Sequence, residues 1–129
     1  MELTQIIQDF LEIVQTPVNS RDERLIADLL KSKLTTLGCE VYEDEAGHTL
    51  GGNAGNIIAR LPGDKNIPAV LLSAHMDRVQ NNGHIKPIIH TDTGIITGDG
   101  TTILAADDVA GIVAILDGLR RIQQQNSTH

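Results

Sequence analysis

The sequence lacks tryptophan and has only one phenylalanine, Phe10, and one tyrosine, Tyr42, in 129 residues. Apolar residues still make up 40% of the composition, so a hydrophobic core must be built from aliphatic side chains. A domain of this length buries roughly two thirds of the surface that its unfolded chain exposes, so neither a disulfide nor a structural metal is needed for stability. Such a composition suits a sheet covered by helices, and a metal would serve function rather than folding.

Basic residues, cysteines and long apolar runs are also scarce. Ten lysines and arginines stand against 17 acidic residues, and the net charge of −7 argues against a nucleic-acid partner. No apolar run approaches the roughly 18 residues of a membrane span, and the amino end has no signal-like pattern. The single cysteine, Cys39, cannot form an internal disulfide and reads as a small buried side chain. We therefore expect a soluble, cytoplasmic protein without a membrane partner.

Hydrophobic periodicity predicts two helices at the start of the chain. Apolar residues recur at steps of three and four between positions 3 and 14, and Pro17 ends this pattern. A second helix is predicted over residues 20–37, with Ser20 as its cap and Gly38 as its stop.

The rest of the chain alternates short strands with turns before a final helix. Residues 39–43 and 56–61 read as strands, and a hairpin is expected within residues 84–97. A helical pattern then follows Asp107 and Asp108 and continues to Ile122. This order predicts an α/β fold in which the opening helices cover one face of a sheet that includes the strand over residues 70–77.

Residues 70–77, Val-Leu-Leu-Ser-Ala-His-Met-Asp, form the segment around which a site would be organised. The apolar run predicts a strand buried on both faces and paired with the neighbouring strand over residues 56–61. At its carboxyl end, where α/β proteins place their ligands, His75 and Asp77 would emerge on one face.

A hydrolytic metal site needs nitrogen or carboxylate ligands and a group that orients each ligating imidazole. His75 could ligate, Asp77 could hold its second ring nitrogen, and Asp107 could bridge two metals from a separate element. The residues leave other interpretations open: a histidine at a strand end is commonly an ordinary hydrogen-bonded residue, and Asp107 and Asp108 could simply cap the final helix.

Three ordered motifs resemble the peptidase T branch of the di-zinc exopeptidases, whose wider kin include aminoacylase and the glutamate carboxypeptidases. They are Ser-Ala-His-Met-Asp-Arg-Val at 73–79, Gly-His-Ile-Lys-Pro-Ile-Ile at 83–89 and Asp-Gly-Thr-Thr-Ile-Leu-Ala-Ala-Asp-Asp-Val-Ala-Gly-Ile at 99–112. The resemblance continues upstream through residues 51–59 and the opening helices, so it covers nearly the whole chain.

The resemblance implies roles for the site residues. His75 would ligate one zinc, Asp77 would orient it as a catalytic-site residue, and Asp107 would bridge two zinc ions, with Asp108 as a neighbour rather than a ligand. A cis peptide bond is implied between Asp107 and Asp108. Co²⁺ or Mn²⁺ could replace Zn²⁺ at ligands of this type.

The resemblance also implies that residues 1–129 are the amino-terminal portion of a di-zinc exopeptidase catalytic domain, with a central mixed sheet flanked by helices. In the family a strand with a Glu-Glu pair, further Asp and His ligands and a lid or dimerisation domain follow. We therefore expect the full-length enzyme to form a homodimer and the isolated chain to be inactive, because it lacks a general base.

The implied reaction is the removal of amino-terminal residues from short peptides by metal-activated water. One alternative is an amidohydrolase that acts on N-acyl amino acids. Another is a non-catalytic binding or assembly domain that retains half of a metal site.

Three residues near the site depart from the family pattern. Arg78 stands where a threonine is usual, Ala105 where a glycine is expected, and Val109 where the family has a lysine. None of these departures removes an implied ligand.

Overall fold

The computed structural model describes residues 3–79, 83–125 and 128–129. Within these ranges the elements are, in chain order, α1 (Gln5–Gln15), α2 (Arg24–Thr36), β1 (Glu40–Glu43), α3 (Ala46–Thr49), β2 (Ile57–Arg60), β3 (Pro87–His90), β4 (Ile95–Gly98) and α4 (Ala106–Gln124). The predicted α/β class is confirmed, and so are the two opening helices and the long final helix.

Helix α2 begins four residues later than the predicted Ser20 cap, because a tight turn comes first. Glu23 occupies the N-cap position without a side-chain cap, and its carboxylate accepts the Arg21 backbone N–H at 2.7 Å. The N–H of Arg24 instead donates to Oδ1 of Asn53 at 3.1 Å. The partner lies 29 residues away, so local sequence could not reveal it.

Both two-stranded sheets are antiparallel. Strand β1 pairs with β2, and β3 pairs with β4 as the predicted hairpin. The strands predicted over residues 39–43 and 56–61 are therefore confirmed, although the second pairs with the first and not with residues 70–77.

Residues 70–77 correct the prediction of a central buried strand. No strand is assigned there, and the side chains of Val70 and Leu71 are 82% and 90% exposed. A strand buried on both faces needs partners along its edges and layers above and below it. Among the described residues, the two small sheets supply neither of these, so a central mixed sheet is not assembled.

The core lies between the helices and is aliphatic, as the composition predicted. Helix α1 packs against α4, and α2 closes the cluster with the end of β1. Cys39 is buried, also as expected. None of the helices in the described part of the chain is long and apolar enough to cross a membrane. The most buried apolar residues of the core are Ile13, Val14, Ile26, Ala27, Val109 and Leu116.

A buried carboxylate ties the three long helices together. Asp9 of α1 is 2% exposed and accepts hydrogen bonds from Lys33 of α2 at 2.9 Å and from Arg120 of α4 at 2.6 Å. Gln5 adds a third hydrogen bond at 3.2 Å. Burial would raise the pKa of Asp9, but the hydrogen bonds from Lys33, Arg120 and Gln5 outweigh burial, and the pKa lies below its ordinary value of 3.8.

We expect Asp9→Asn to lower the free energy of unfolding at pH 7 by about 1.5–3 kcal/mol, because the buried carboxylate that faces both cations is lost. Lys33 keeps Glu12 as a partner and Arg120 keeps Asp117, so neither cation is left without a counter-charge. A carboxylate with a depressed folded-state pKa stabilises the fold above its unfolded pKa, and this stabilisation is lost as the pH falls. Urea unfolding between pH 7 and pH 2 should therefore show an acid-dependent loss of stability in the wild type that is smaller in Asp9→Asn.

Glu12→Gln is the matched control for this prediction. Glu12 pairs with the same Lys33 at 2.6 Å, but its side chain is exposed, so its removal should cost at most about 1 kcal/mol. Equal losses for the two variants would contradict the importance of the buried position of Asp9.

Candidate metal centre

The three residues singled out from the sequence lie together in the structure. Nε2 of His75 is 2.9 Å from Oδ1 of Asp107, at the start of α4. The other ring nitrogen, Nδ1, is 3.1 Å from Oδ1 of Asp77 and 3.2 Å from its backbone oxygen. One imidazole is therefore held between two aspartates that belong to different parts of the chain.

Asp107 and Asp108 have different roles: one faces the candidate site and the other caps the helix. Both residues lie within the bounds of α4, but neither has helical dihedral angles: φ and ψ are −94° and 102° at Asp107 and −123° and 39° at Asp108. Oδ1 of Asp108 accepts the N–H of Gly111 at 3.0 Å and so caps the regular helix. The side chain of Asp107 is 94% exposed and faces His75.

The peptide bond between Asp107 and Asp108 is cis, as the family resemblance implied. Gly111 has a local reason for its identity, because a Cβ at this position would collide with the carboxylate of Asp108. The capping interpretation therefore applies to Asp108, and Asp107 is left available to the site.

The surroundings of His75 favour its charged form. The hydrogen bond to Asp107 raises the pKa of His75 above its ordinary value of 6.5, partial burial opposes this, and Asp77 adds to the increase. Both ring nitrogens face oxygen atoms, which accept hydrogen bonds and do not donate them in their ionised form. A proton on Nε2 therefore occupies the position at which Nε2 would bind a metal ion.

The imidazole nitrogen and the carboxylate oxygen are atoms that bind metal ions, and their separation suits a shared zinc ion. Two ligands of one tetrahedral zinc ion lie roughly 3.3 Å apart, close to the separation of Nε2 and Oδ1 here. Asp77 holds the second ring nitrogen, which is the usual support for a ligating histidine. The number of donors falls short: the described residues contain no group of three or more His, Cys, Asp or Glu side chains able to hold a metal.

Ala105 immediately precedes this site and carries backbone strain. Its φ of 62° and ψ of 30° lie in the left-handed region that favours glycine. This is the position at which the family resemblance leads one to expect a glycine. The departure noted in the sequence therefore has an energetic cost in the fold.

Sequence reasoning treated Arg78 only as a departure from the family, whereas the structure buries it. Its guanidinium group donates to the carbonyl oxygens at the end of α1. Two signals could have indicated this: an arginine directly after Asp77, and Pro17, which has no N–H to donate to the carbonyl of Ile13 four positions earlier.

Comparison with known proteins gives the class first: the fold and the sequence are similar to those of the amino-terminal part of bacterial peptidases. A tripeptidase from Staphylococcus aureus subsp. aureus mu50 superposes with a TM-score of 0.90 at 38% identity over 97% of this chain and 33% of that protein. The aminopeptidase PepT from Bacillus cereus ATCC 10987 gives a TM-score of 0.90 at 36% identity, with the same coverage. No family model matches.

Sequence relatives narrow the class. The uncharacterized protein YqjE of Bacillus subtilis (strain 168) is 35% identical over 97% of this chain and 33% of its own length. Several other bacterial relatives bear the name peptidase T. The chain is thus a peptidase T-like sequence that spans about a third of the length of the curated relatives it matches.

Asp107→Asn should lower the pKa of His75, because the hydrogen bond to the Asp107 carboxylate is the largest cause of its increase. An NMR titration of the imidazole protons measures this directly. Asp108→Asn is the matched control, since Asp108 bonds to Gly111 and not to His75. Equal shifts in the two variants would show that net charge, and not this contact, sets the pKa.

Ala105→Gly should stabilise the chain by about 0.5–1 kcal/mol, because glycine adopts the left-handed conformation without the Cβ penalty but loses more chain entropy. Ala114→Gly, at an exposed position inside α4, should destabilise by about 1 kcal/mol. Urea unfolding of both variants should show a gain in stability for the first and a loss for the second. A loss of stability in both variants would contradict strain at Ala105.

Proposed function

We propose that the chain forms the amino-terminal part of a metal-dependent exopeptidase that removes amino-terminal residues from short peptides. The observation that carries this proposal is the convergence of His75 and Asp107, with Asp77 behind the imidazole. The names of the two similar structures, a tripeptidase and an aminopeptidase, support the reaction and the substrate class.

In this proposal Nε2 of His75 and the carboxylate of Asp107 hold Zn²⁺, and Asp77 orients the imidazole through Nδ1. Oδ1 of Asp107 faces His75, and Oδ2 forms no hydrogen bond within the described ranges, so it can serve a second metal ion. The metal supplies polarisation of the scissile carbonyl and activation of water. Co²⁺ or Mn²⁺ would satisfy the same donors.

We propose that the remaining ligands and the general base come from a longer protein of which residues 1–129 are a part. Two donors do not complete even one zinc coordination shell, which needs three or four. The exposed apolar side chains of Val70 and Leu71 support this view, since a larger sheet would cover them. The isolated chain should then lack peptidase activity.

The reading frame after codon 129 tests this part of the proposal directly. A continuation that encodes a strand with a Glu-Glu pair, followed by further Asp and His residues, is the expected result. A natural stop codon at this point would contradict it.

A zinc titration of the 129-residue chain tests the half-site. We expect Zn²⁺ binding weaker than micromolar, lost in His75→Ala and in Asp107→Ala, and no hydrolysis of a tripeptide. Micromolar or tighter binding together with tripeptide hydrolysis would show that the chain is complete. Equal binding by the wild type and both variants would place the metal elsewhere.

The longer protein tests the reaction. Asp77→Asn should lower kcat/KM for a tripeptide by roughly 10–100-fold, as expected for a group that orients a metal ligand. His75→Ala should cause a larger loss. Hydrolysis of N-acetyl amino acids, with tripeptides left intact, would favour the alternative amidohydrolase and contradict the peptide substrate.

The exposed apolar segment is also the observation that favours a second candidate, a non-catalytic assembly domain. Val70, Leu71 and Ile58 leave an apolar surface open, and such surfaces promote association. If this candidate holds, the chain should self-associate in sedimentation experiments, and neither the chain nor the longer protein should hydrolyse peptides or N-acyl amino acids.

A further inference from the structure

Arg78 is the most deeply buried residue in the segment that carries the candidate site. Its side chain is 5% exposed, whereas Val79 next to it is 70% exposed. Nη1 donates to the carbonyl oxygens of Val14 and Thr16 at 3.0 Å each, and Nη2 donates to that of Ile13 at 2.6 Å. The guanidinium group is therefore joined to the last turn of α1.

The end of α1 offers acceptors for these donors. The carbonyl of Ile13 accepts the N–H of Thr16 at 3.2 Å but receives no bond from the residue four positions later, because that residue is Pro17. A cation at the carboxyl end of a helix is also stabilised by the helix dipole. Burial lowers the pKa of Arg78 below its ordinary value, yet an arginine remains charged in proteins.

Few other polar contacts hold the site segment in place. Within residues 67–79 no strand ladder is formed, and the remaining side-chain hydrogen bonds are those of His75 to Asp77 and Asp107. Ala74 and Met76 contact the core but are only partly buried. Arg78 therefore joins this segment to a rigid helix at the position directly after Asp77.

We infer that Arg78 is a positioning residue, which fixes Asp77 against the end of α1 and through Asp77 sets the orientation of the His75 imidazole. The metal ligands themselves are not touched by Arg78. The structural part of this inference concerns the chain without metal, and its consequence for metal binding rests on the proposed function.

Ring ¹⁵N and ¹H signals of His75, recorded without metal, test the inference. Arg78→Met should shift these signals away from the wild-type positions, because Asp77 is no longer held beside Nδ1. Arg78→Lys should give a smaller shift, since an ammonium group can donate to these carbonyls but lacks the planar fork that reaches all three. Nε of Arg78 forms no hydrogen bond among the described residues, so the lysine loses no contact there.

Val18→Ala is the matched control, because Val18 is buried and lines the same small cavity as Arg78 without contacting the site. It loosens the packing around the end of α1 but keeps the three hydrogen bonds. His75 signals should stay at their wild-type positions in Val18→Ala. Equal shifts in Val18→Ala and Arg78→Met would overturn the inference, as would unchanged signals in Arg78→Met.

Should Arg78→Met fail to fold, Arg78→Lys decides the question. A folded Arg78→Lys chain with shifted His75 signals supports the positioning role, and wild-type signals overturn it.

Zn²⁺ affinity separates this inference from the proposed function. If the wild type binds Zn²⁺ through His75, Arg78→Met should weaken binding by roughly 10–100-fold, and Val18→Ala should not. Absence of His75-dependent binding in the wild type would contradict the metal proposal, while the metal-free NMR comparison still decides the role of Arg78. Unchanged Zn²⁺ affinity in Arg78→Met would contradict positioning even where metal binding is established.

Discussion

The packing of α1 against α4 determines the separation of the two halves of the candidate site. Asp107 stands at the start of α4, and Arg78 binds the carboxyl end of α1 next to Asp77. The contact between Nε2 of His75 and Oδ1 of Asp107 therefore depends on how the two helices lie against each other. Asp9, which bonds to Arg120 across the same interface, makes this packing partly electrostatic as well as apolar.

What the sequence could predict was local. Spacing of apolar residues identified the helices and the hairpin, and short motifs identified His75, Asp77 and Asp107, which the structure brings together. Non-local contacts escaped prediction: Asn53 at the start of α2, the partners of Asp9, and the binding of Arg78 to α1 all join residues far apart in sequence. The prediction of a buried strand over residues 70–77 was wrong. An apolar run shows that a segment can be buried, but it does not show whether other strands and helices are present to cover it.

The departures from the family pattern follow a physical logic in two of three cases. Val109 is 2% exposed in the aliphatic core between the helices, where an apolar side chain needs no partner for a charge. Arg78 has its charge met by three carbonyl oxygens and a helix end. Ala105 differs, because its methyl group is buried in the core but the backbone that carries it has the left-handed conformation that favours glycine.

Adjacent aspartates can serve a helix and a site at once only if the backbone turns them in different directions. In a regular helix, neighbouring side chains diverge by about 100° but both remain on the helix surface. Non-helical dihedral angles at Asp107 and Asp108 release the first carboxylate toward His75 while the second turns inward to Gly111. The helix thus receives a side-chain cap from Asp108, and Asp107 makes no hydrogen bond to the helix that would compete with a ligand. A carboxylate without that competing bond can act in a metal site without weakening the element that carries it.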